Sequence, residues 1–257
     1  QLKVISNYAV GFDNINIDEA TKRGIVVTNT PCDEVNEAVA EHAVSLMLAL
    51  ARRIVEADES TKRGSYRGWE PNIFLGHALR GKTLGIIGLG RIGTMVAEKV
   101  KGFGMKVLYN KRSPDPEAEK GFGIEFADLN RLYAESDFIS LHVPLTDETR
   151  EMVGTGAIDK MKHGVILVNT ARGPIIDEHA LVDGLREGKI GGAGLDVFET
   201  EPNINPELTG MENVILTPHI ASATFEAREK MGQLAVDAIL KTFNDEKPEN
   251  LVNPEIW

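Results

Sequence analysis

The chain has 257 residues, 42% hydrophobic and 26% charged, a composition that builds a sizeable core and argues against disorder. Asp and Glu outnumber Lys and Arg by 39 to 28, and the resulting charge of −11 repels phosphate backbones and anionic lipid, so nucleic acid and membrane are poor partners. The longest uncharged apolar run, Ala43–Ala51, is too short to cross a bilayer, and the single cysteine, Cys32, cannot form an internal disulfide, which suits a reducing cytoplasm. The chain opens at Gln1 rather than Met, which leaves room for a removed leader.

Short apolar runs, often β-branched and bounded by Gly, Pro, Asn or Asp, predict strands at Leu2–Ser6, Ile25–Thr28, Thr83–Ile87, Lys106–Tyr109, Phe138–His142, Val165–Asn169 and Val214–Leu216. Helical patterns lie between several of them, at Asp18–Arg23, Arg91–Lys101, Asp128–Ala134 and Glu178–Glu187. This alternation, with near-continuous apolar strands, predicts an α/β fold with a doubly wound parallel sheet covered on both faces. Two longer helices break the rhythm. Glu34–Arg53 is apolar almost all round in its later turns and must be buried on more than one side; Ala221–Phe243 is amphipathic. Both sit where a chain would cross between domains. Residues 54–82, with Gly64, Gly68, Trp69 and Gly76, read as an irregular arm, and the charge run Asp115–Lys120 reads as a solvated turn.

Gly88-Leu-Gly90-Arg91-Ile92-Gly93 is a G-x-G-x-x-G directly after a predicted strand and opening a predicted helix. In that setting Gly88 permits the tight turn, Gly90 lets a pyrophosphate approach the backbone, and Gly93 lets helix and strand pack closely; the helix N-terminus then offers N–H groups to phosphates. Gly191-Gly-Ala-Gly194 is a near miss with no such context. A carboxylate about 20 residues further on would bind the NAD ribose, but the stretch here is Asn110-Lys111-Arg112-Ser113. Lys111 and Arg112 would attract a 2′-phosphate, with neutral bonds from Asn110 and Ser113, so NADP is favoured over NAD. The alternative for this stretch is an ordinary solvated loop.

Three polar clusters follow later strands: Asn169–Gly173, Asp196–Pro202 and Thr217–Ile220. Ligands bind beyond the carboxyl ends of strands in an open parallel sheet, so these loops can converge. Arg172 would hold an anionic substrate or its carbonyl oxygen, His219 would exchange a proton with that oxygen, and Glu201 would orient and charge the imidazole. Singly, each also reads as an ordinary surface or core residue. No His, Cys, Asp or Glu cluster shows metal-ligand spacing, so no metal is expected.

The chain resembles the D-isomer-specific 2-hydroxyacid dehydrogenase family over essentially its whole length, through Ser6–Asn14, Asn29-Thr-Pro31, Val39-Ala-Glu-His-Ala43, the glycine loop, Asn169-Thr-Ala-Arg-Gly173, Gly194-Leu-Asp-Val-Phe198 with Glu201-Pro202, and Pro218-His-Ile220. The resemblance implies that Arg172, Glu201 and His219 are the catalytic set. It implies that Asp196 contacts the nicotinamide carboxamide, and that Val143, Pro144, Thr170 and Ala171 join the glycine loop in holding the cofactor. The backbone of Val10 and Gly11 would bind the substrate carboxylate. His42 and His142 fall in family motifs but not at the catalytic position, and read as structural or cofactor-adjacent.

The family fold places a Rossmann cofactor domain at about 33–224. A smaller, flavodoxin-like substrate domain is made of 1–32 and 225–257, and the Glu34–Arg53 helix lies at the domain junction and dimer contact. The resemblance also implies roughly 60 further residues ahead of Gln1, at ~30 per strand–helix unit. Either the numbered chain omits that segment or the protein lacks it. Asn110–Ser113 and Gly68-Trp69 are similar to the glyoxylate, hydroxypyruvate and 2-ketogluconate reductases. In some of these an arm tryptophan reaches the neighbouring subunit's substrate site. Trp69 is therefore a candidate for that role, or an anchor of the arm onto its own core. The expected activity is hydride transfer between NADPH and a small 2-keto acid in a cytoplasmic homodimer. The alternatives are an NAD-dependent phosphoglycerate dehydrogenase and a non-catalytic dinucleotide sensor on the same scaffold.

Overall fold

The structure, a computed structural model, describes residues 2–257. The chain forms two compact units: Val39–Ala221, and a smaller one made of residues 2–38 with Ser222–Trp257. In the smaller unit β1 (Val4–Ser6) pairs in parallel with β2 (Val26–Thr28), Val4 opposite Val26, through α1 (Ile17–Lys22). The C-terminal α10 (Phe225–Phe243) packs on both strands. The fully buried Asn253 ties the unit together: its Oδ1 accepts from Val27 N–H at 2.8 Å, and its Nδ2 donates to the Ile25 carbonyl at 2.9 Å.

The divide between the units falls within α2 (Asp33–Ala51). Glu34, Glu37, Glu41 and Ser45 form its exposed stripe, while Ala40, Ala43, Val44, Leu46, Met47 and Ala51 are buried; a helix with one narrow polar stripe is packed on most of its circumference. The larger unit continues with α3 (Ile54–Lys62), β3 (Thr83–Ile87), α4 (Arg91–Lys101), β4 (Lys106–Asn110), α5 (Pro116–Phe122), β5 (Glu125–Phe126) and α6 (Leu129–Glu135). It ends with β6 (Phe138–Leu141), α7 (Thr155–Ile158), β7 (Val165–Asn169), α8 (Glu178–Arg186), β8 (Ile190–Leu195), α9 (Pro206–Thr209) and β9 (Val214–Leu216).

Its seven strands form one parallel sheet in the order β5-β4-β3-β6-β7-β8-β9, the doubly wound arrangement expected, with the chain changing direction between β3 and β6. The period-2 alternation of a strand divides side chains between two cores. Leu84, Ile86, Ile166 and Val168 face a cluster with α2 and α4, whereas Ile87, Leu141, Val165 and Leu167 face one with α6, α7 and α8. Register aligns the carboxyl ends of six strands: Asn110, Ile87, Leu141, Asn169, Leu195 and Leu216 lie side by side. Every loop that carries a candidate site residue of this unit, the arm excepted, leaves from that line. Among the described residues, no helix is long and apolar enough to cross a membrane.

Several elements differ from the sequence expectation. β8 runs through Gly191, Gly192 and Gly194, read from sequence as a glycine near miss. A Cβ on Gly194 would lie 3.0 Å from the Leu46 side chain, so this strand gives up side chains to admit α2. The short β5 was not expected. Part of the arm is helical: α3 has no buried residue and carries the i,i+4 pairs Asp58–Lys62 (2.6 Å) and Glu59–Arg63 (3.4 Å). The charge run near residue 115 is the start of α5, capped by Asp115, whose carboxylate accepts from Ala118 N–H at 3.1 Å. The last long helix begins at Phe225, capped by Thr224, rather than at Ala221.

Candidate active site

The glycine loop leaves β3 and turns into α4 as its spacing requires. Gly88 has φ +101°, and a Cβ there would lie 2.6 Å from the His142 carbonyl, so the turn fits closely against the loop after β6. A Cβ on Gly93 would meet the Gly88 oxygen at 2.3 Å, whereas one on Gly90 would meet nothing within 4 Å. Tight packing below the loop and open space above it form a cradle that fits a dinucleotide pyrophosphate at the N-terminus of α4, beside Arg91 and Ile92. Further along the same edge, Thr170 Oγ1 is buried without a hydrogen-bond partner, an orphan hydroxyl next to Ala171 that a bound ligand can satisfy.

The loop after β4 shows how its polar residues are used. Asn110 Nδ2 donates to the Ala127 carbonyl at 2.8 Å, which fixes the loop itself. Lys111 Nζ donates to Asp115 at 3.0 Å, and this ammonium holds the Asp115 carboxyl below the usual carboxylate range. Arg112 and Ser113 are exposed. Past β6, Val143 is half-buried and Pro144 exposed. His142 Nε2 lies 2.8 Å from Ser140 Oγ, and burial of the ring lowers its pKa to about 4. The folded value lies below the usual ~6.5, so the unfolded chain takes up a proton first as pH falls. Stability is therefore full above about pH 6.5 and is lost progressively down to about 4, by about 3 kcal/mol. Urea titrations across that window should show this acid slope, and His142→Asn should flatten it.

The three later loops converge through the aligned ends of β7, β8 and β9. After β7, Asn169 folds its own loop: Nδ2 donates to the Arg172 carbonyl at 2.9 Å and Oδ1 accepts from Ala171 N–H at 3.0 Å. Arg172 is half-buried, with Nη1 donating to the Ala171 carbonyl at 2.8 Å. After β8, Glu201 Oε1 accepts from Phe198 N–H at 3.1 Å and Oε2 lies 2.9 Å from His219 Nδ1. His219 itself has φ +54°, and its N–H donates to the Asp196 carbonyl at 3.0 Å. The structure thus joins Glu201 to His219 directly, and Arg172 lies in the loop after the neighbouring strand β7.

Asp196 is fully buried. Its carboxylate accepts from the Thr217 hydroxyl at 2.6 Å, Ile220 N–H at 2.9 Å and Ala221 N–H at 2.8 Å. Burial alone would push this carboxyl up, but His42, Thr217 and the two amides together hold it below its ordinary value, so it is ionised at neutral pH. Thr217 and Asp115 had no role assigned from sequence. The signal for Asp115 was local, an Asp-Pro helix start; Thr217 gave none.

Val10 and Gly11 lie in the smaller unit, where Asn29 Nδ2 donates to the Val10 carbonyl and Asn7 Nδ2 to that of Gly11, both at 2.7 Å. These bonds leave the loop after β1 shaped by its carbonyls. Trp69 is 84% exposed and does not anchor the arm onto its own core. A cleft of about 390 Å³, lined in part by Leu50, Arg53, His77 and Asn213, opens at the amino ends of β7 and β8, the opposite edge from this chemistry. Among the described residues, no group of His, Cys, Asp and Glu could hold a metal ion.

The model of the D-isomer specific 2-hydroxyacid dehydrogenase NAD-binding domain matches residues 44–221. The chain belongs to this family. It is therefore an oxidoreductase that works with a nicotinamide dinucleotide on 2-hydroxy and 2-keto acids. A glyoxylate reductase of Thermococcus litoralis is 53% identical over 260 residues, covering 100% of this chain and 78% of the relative. Among solved structures, a protein of Thermus thermophilus superposes with a TM-score of 0.92 at 42% identity, over 98% of this chain and 79% of that one. A structure described as an NADPH-dependent glyoxylate/hydroxypyruvate reductase from Sinorhizobium meliloti, with NADP and malonate, gives 0.89 at 36% identity, over 98% and 79%. In this dehydrogenase, then, the glycine cradle and the orphan Thr170 hydroxyl lie in the matched cofactor domain.

Proposed function

We propose that the protein reduces a small 2-keto acid, glyoxylate or hydroxypyruvate with 2-ketogluconate a third candidate, to the D-2-hydroxy acid, with NADPH as the preferred donor. The observation that carries the reading is the Glu201–His219 pair at 2.9 Å. An ionised carboxylate only accepts, so His219 Nδ1 carries a hydrogen and Nε2 is the nitrogen that gives up or takes the reacting proton. A reduced nicotinamide held at the glycine cradle would supply the hydride. As negative charge grows on the substrate oxygen, the His219 Nε2–H donates to it, while Glu201 balances the positive ring. Arg172 fixes the carboxylate or carbonyl oxygen of the substrate, and the backbone at Val10 and Gly11 is assigned the carboxylate as well, supplying orientation. Asp196 is assigned to the nicotinamide carboxamide, and Gly88, Gly90, Gly93, Val143, Pro144, Thr170 and Ala171 to the dinucleotide.

NADPH is favoured because the edge beyond Asn110 offers Lys111 and Arg112 and no acid to bind the ribose. Lys111 is shared with Asp115, so Arg112 is given the larger part. The relatives' descriptions support the substrate class, and one solved relative is described as NADPH-dependent. The protein is proposed to act as a cytoplasmic homodimer. Exposed Trp69, with Tyr66 and Leu75, gives the arm an apolar face that a second copy would cover, bringing Trp69 to the neighbouring substrate site.

The test is a panel of glyoxylate, hydroxypyruvate, pyruvate, phosphohydroxypyruvate and 2-ketogluconate with both nicotinamide cofactors. Turnover of glyoxylate or hydroxypyruvate with a lower KM for NADPH is expected. Arg112→Ala should raise the KM for NADPH about tenfold and leave that for NADH within twofold. A clear NADH preference sinks the cofactor assignment, and turnover confined to phosphohydroxypyruvate sinks the substrate assignment.

A further inference from the structure

The buried network beneath His219 reaches one residue with no part in the chemistry above. His42, on α2, points its Nε2 at Thr217 Oγ1 (3.0 Å), with Asp196 Oδ1 3.5 Å away. Chemistry fixes the direction of that contact. The ionised Asp196 carboxylate only accepts, so the single hydrogen of the Thr217 hydroxyl is committed to it at 2.6 Å. The hydroxyl oxygen must therefore accept from the ring, and His42 carries a hydrogen on Nε2.

The same carboxylate takes the N–H groups of Ile220 and Ala221, the two residues that follow His219. His219 holds φ +54°, a left-handed conformation that a non-glycine residue keeps only where its surroundings impose it. Those surroundings are the Asp196 and Thr217 carbonyls, which accept from His219 N–H at 3.0 and 2.9 Å, and the Asp196 carboxylate beneath the next two amides.

We propose that His42 is a positioning residue for the reaction. Its Nε2–H holds the Thr217–Asp196 pair, and that pair pins the backbone of residues 217–221 in the one conformation that aims the His219 imidazole. The ring itself touches neither substrate nor reacting atoms in this account. Chains of this kind polarise one another, so a Thr217 hydroxyl that no longer accepts from His42 donates less strongly to the buried carboxylate and holds it less firmly in place. The inference deepens the redox reading above and depends on it only for its kinetic consequence.

The test compares His42→Leu, which keeps bulk without a donor, with His42→Gln, which restores an N–H. Amide hydrogen exchange is measured at Ile220 and Ala221 in ligand-free full-length protein, alongside kcat and KM. His42→Leu should speed exchange at both amides about tenfold while β7 and β8 stay as in the wild type, and should lower kcat about tenfold with the dinucleotide KM within twofold. His42→Gln should return both toward wild type. Unchanged exchange at Ile220 and Ala221 in His42→Leu, faster exchange throughout the sheet, or a Gln variant no better than Leu would each overturn the proposal. If His42→Leu does not fold, Thr217→Val removes the relay hydroxyl and gives the same reading. Should the wild type turn over no 2-keto acid, the redox reading fails while the exchange comparison still decides the role of His42.

Discussion

His219→Gln should lower kcat for 2-keto acid reduction about a thousandfold, within the span that a positioned general acid contributes. Glutamine is close to imidazole in length and keeps an amide that can reach Glu201, so the loop should retain its place. What it lacks is any nitrogen that can give up or take a proton. With Nδ1 held 2.9 Å from Glu201 Oε2, the wild-type ring is oriented by one nitrogen and, in the proposed reaction, would exchange a proton through the other, and Gln offers only the first function. The charge that develops on the substrate oxygen would then be met by a neutral amide. Steady-state kinetics checks this: kcat should collapse while the KM for the dinucleotide stays within twofold, because His219 makes no contact assigned to it. A His219→Gln enzyme running at the wild-type rate would remove the proton role altogether.

Gly173→Ala should be the most damaging single-methyl change in the site. A Cβ at residue 173 would sit 1.8 Å from the Phe198 oxygen and 1.9 Å from its carbonyl carbon, and both obstacles are backbone with no side-chain end to swing aside. The segment that must yield runs directly from Phe198 to Glu201. It is clamped by reciprocal bonds, Glu199 N–H to Glu178 Oε1 at 2.8 Å and Glu178 N–H to Glu199 Oε2 at 3.3 Å. One methyl therefore pushes apart the loops of Arg172 and Glu201 together. Overpacking of this kind costs about 3 kcal/mol, and a displacement of ~1 Å at the chemistry costs about a hundredfold in rate. Thermal unfolding and kcat measured on the same preparation check both halves. Full activity in a variant with unchanged Tm would mean that the 198–201 segment is not the rigid support described here.

How much of this could be read from the residues follows from how local each signal is. The Thr83–Gly93 stretch carries its strand, turn and helix in consecutive positions, and all three form where expected. The seven predicted strands are all present, and the five in the larger sheet form because their alternating apolar residues face two cores. β8 was hidden because its Gly192 and Gly194 leave room for α2, a partner about 150 residues away that no local pattern announces. α3 was obscured by Gly64 and Gly68 just beyond it, although its Asp58–Lys62 and Glu59–Arg63 pairs were there to count.

At the site, the Glu201–His219 pair was legible as residue types with a family motif to order them. The use of Lys111 by Asp115, and of Asn110 by Ala127, was not. A polar side chain beside a ligand-binding edge reads the same whether it faces the ligand or holds the loop, and only its partners separate the two. The contact between His42 and Thr217 spans 175 positions of sequence and belongs to the same class.

The alignment of Asn110, Ile87, Leu141, Asn169, Leu195 and Leu216 across six strands has a mechanical meaning. These residues form a common rung of the ladder, and each reactive loop departs directly from it. A slip of one strand by a single step would carry its loop about 3.3 Å along the sheet and turn its core-facing side chains to the wrong layer, so the cores themselves forbid it. The accuracy with which imidazole and carboxylate meet is thus inherited from oily residues beneath them, and evolution can rewrite the loops while that foundation keeps their spacing.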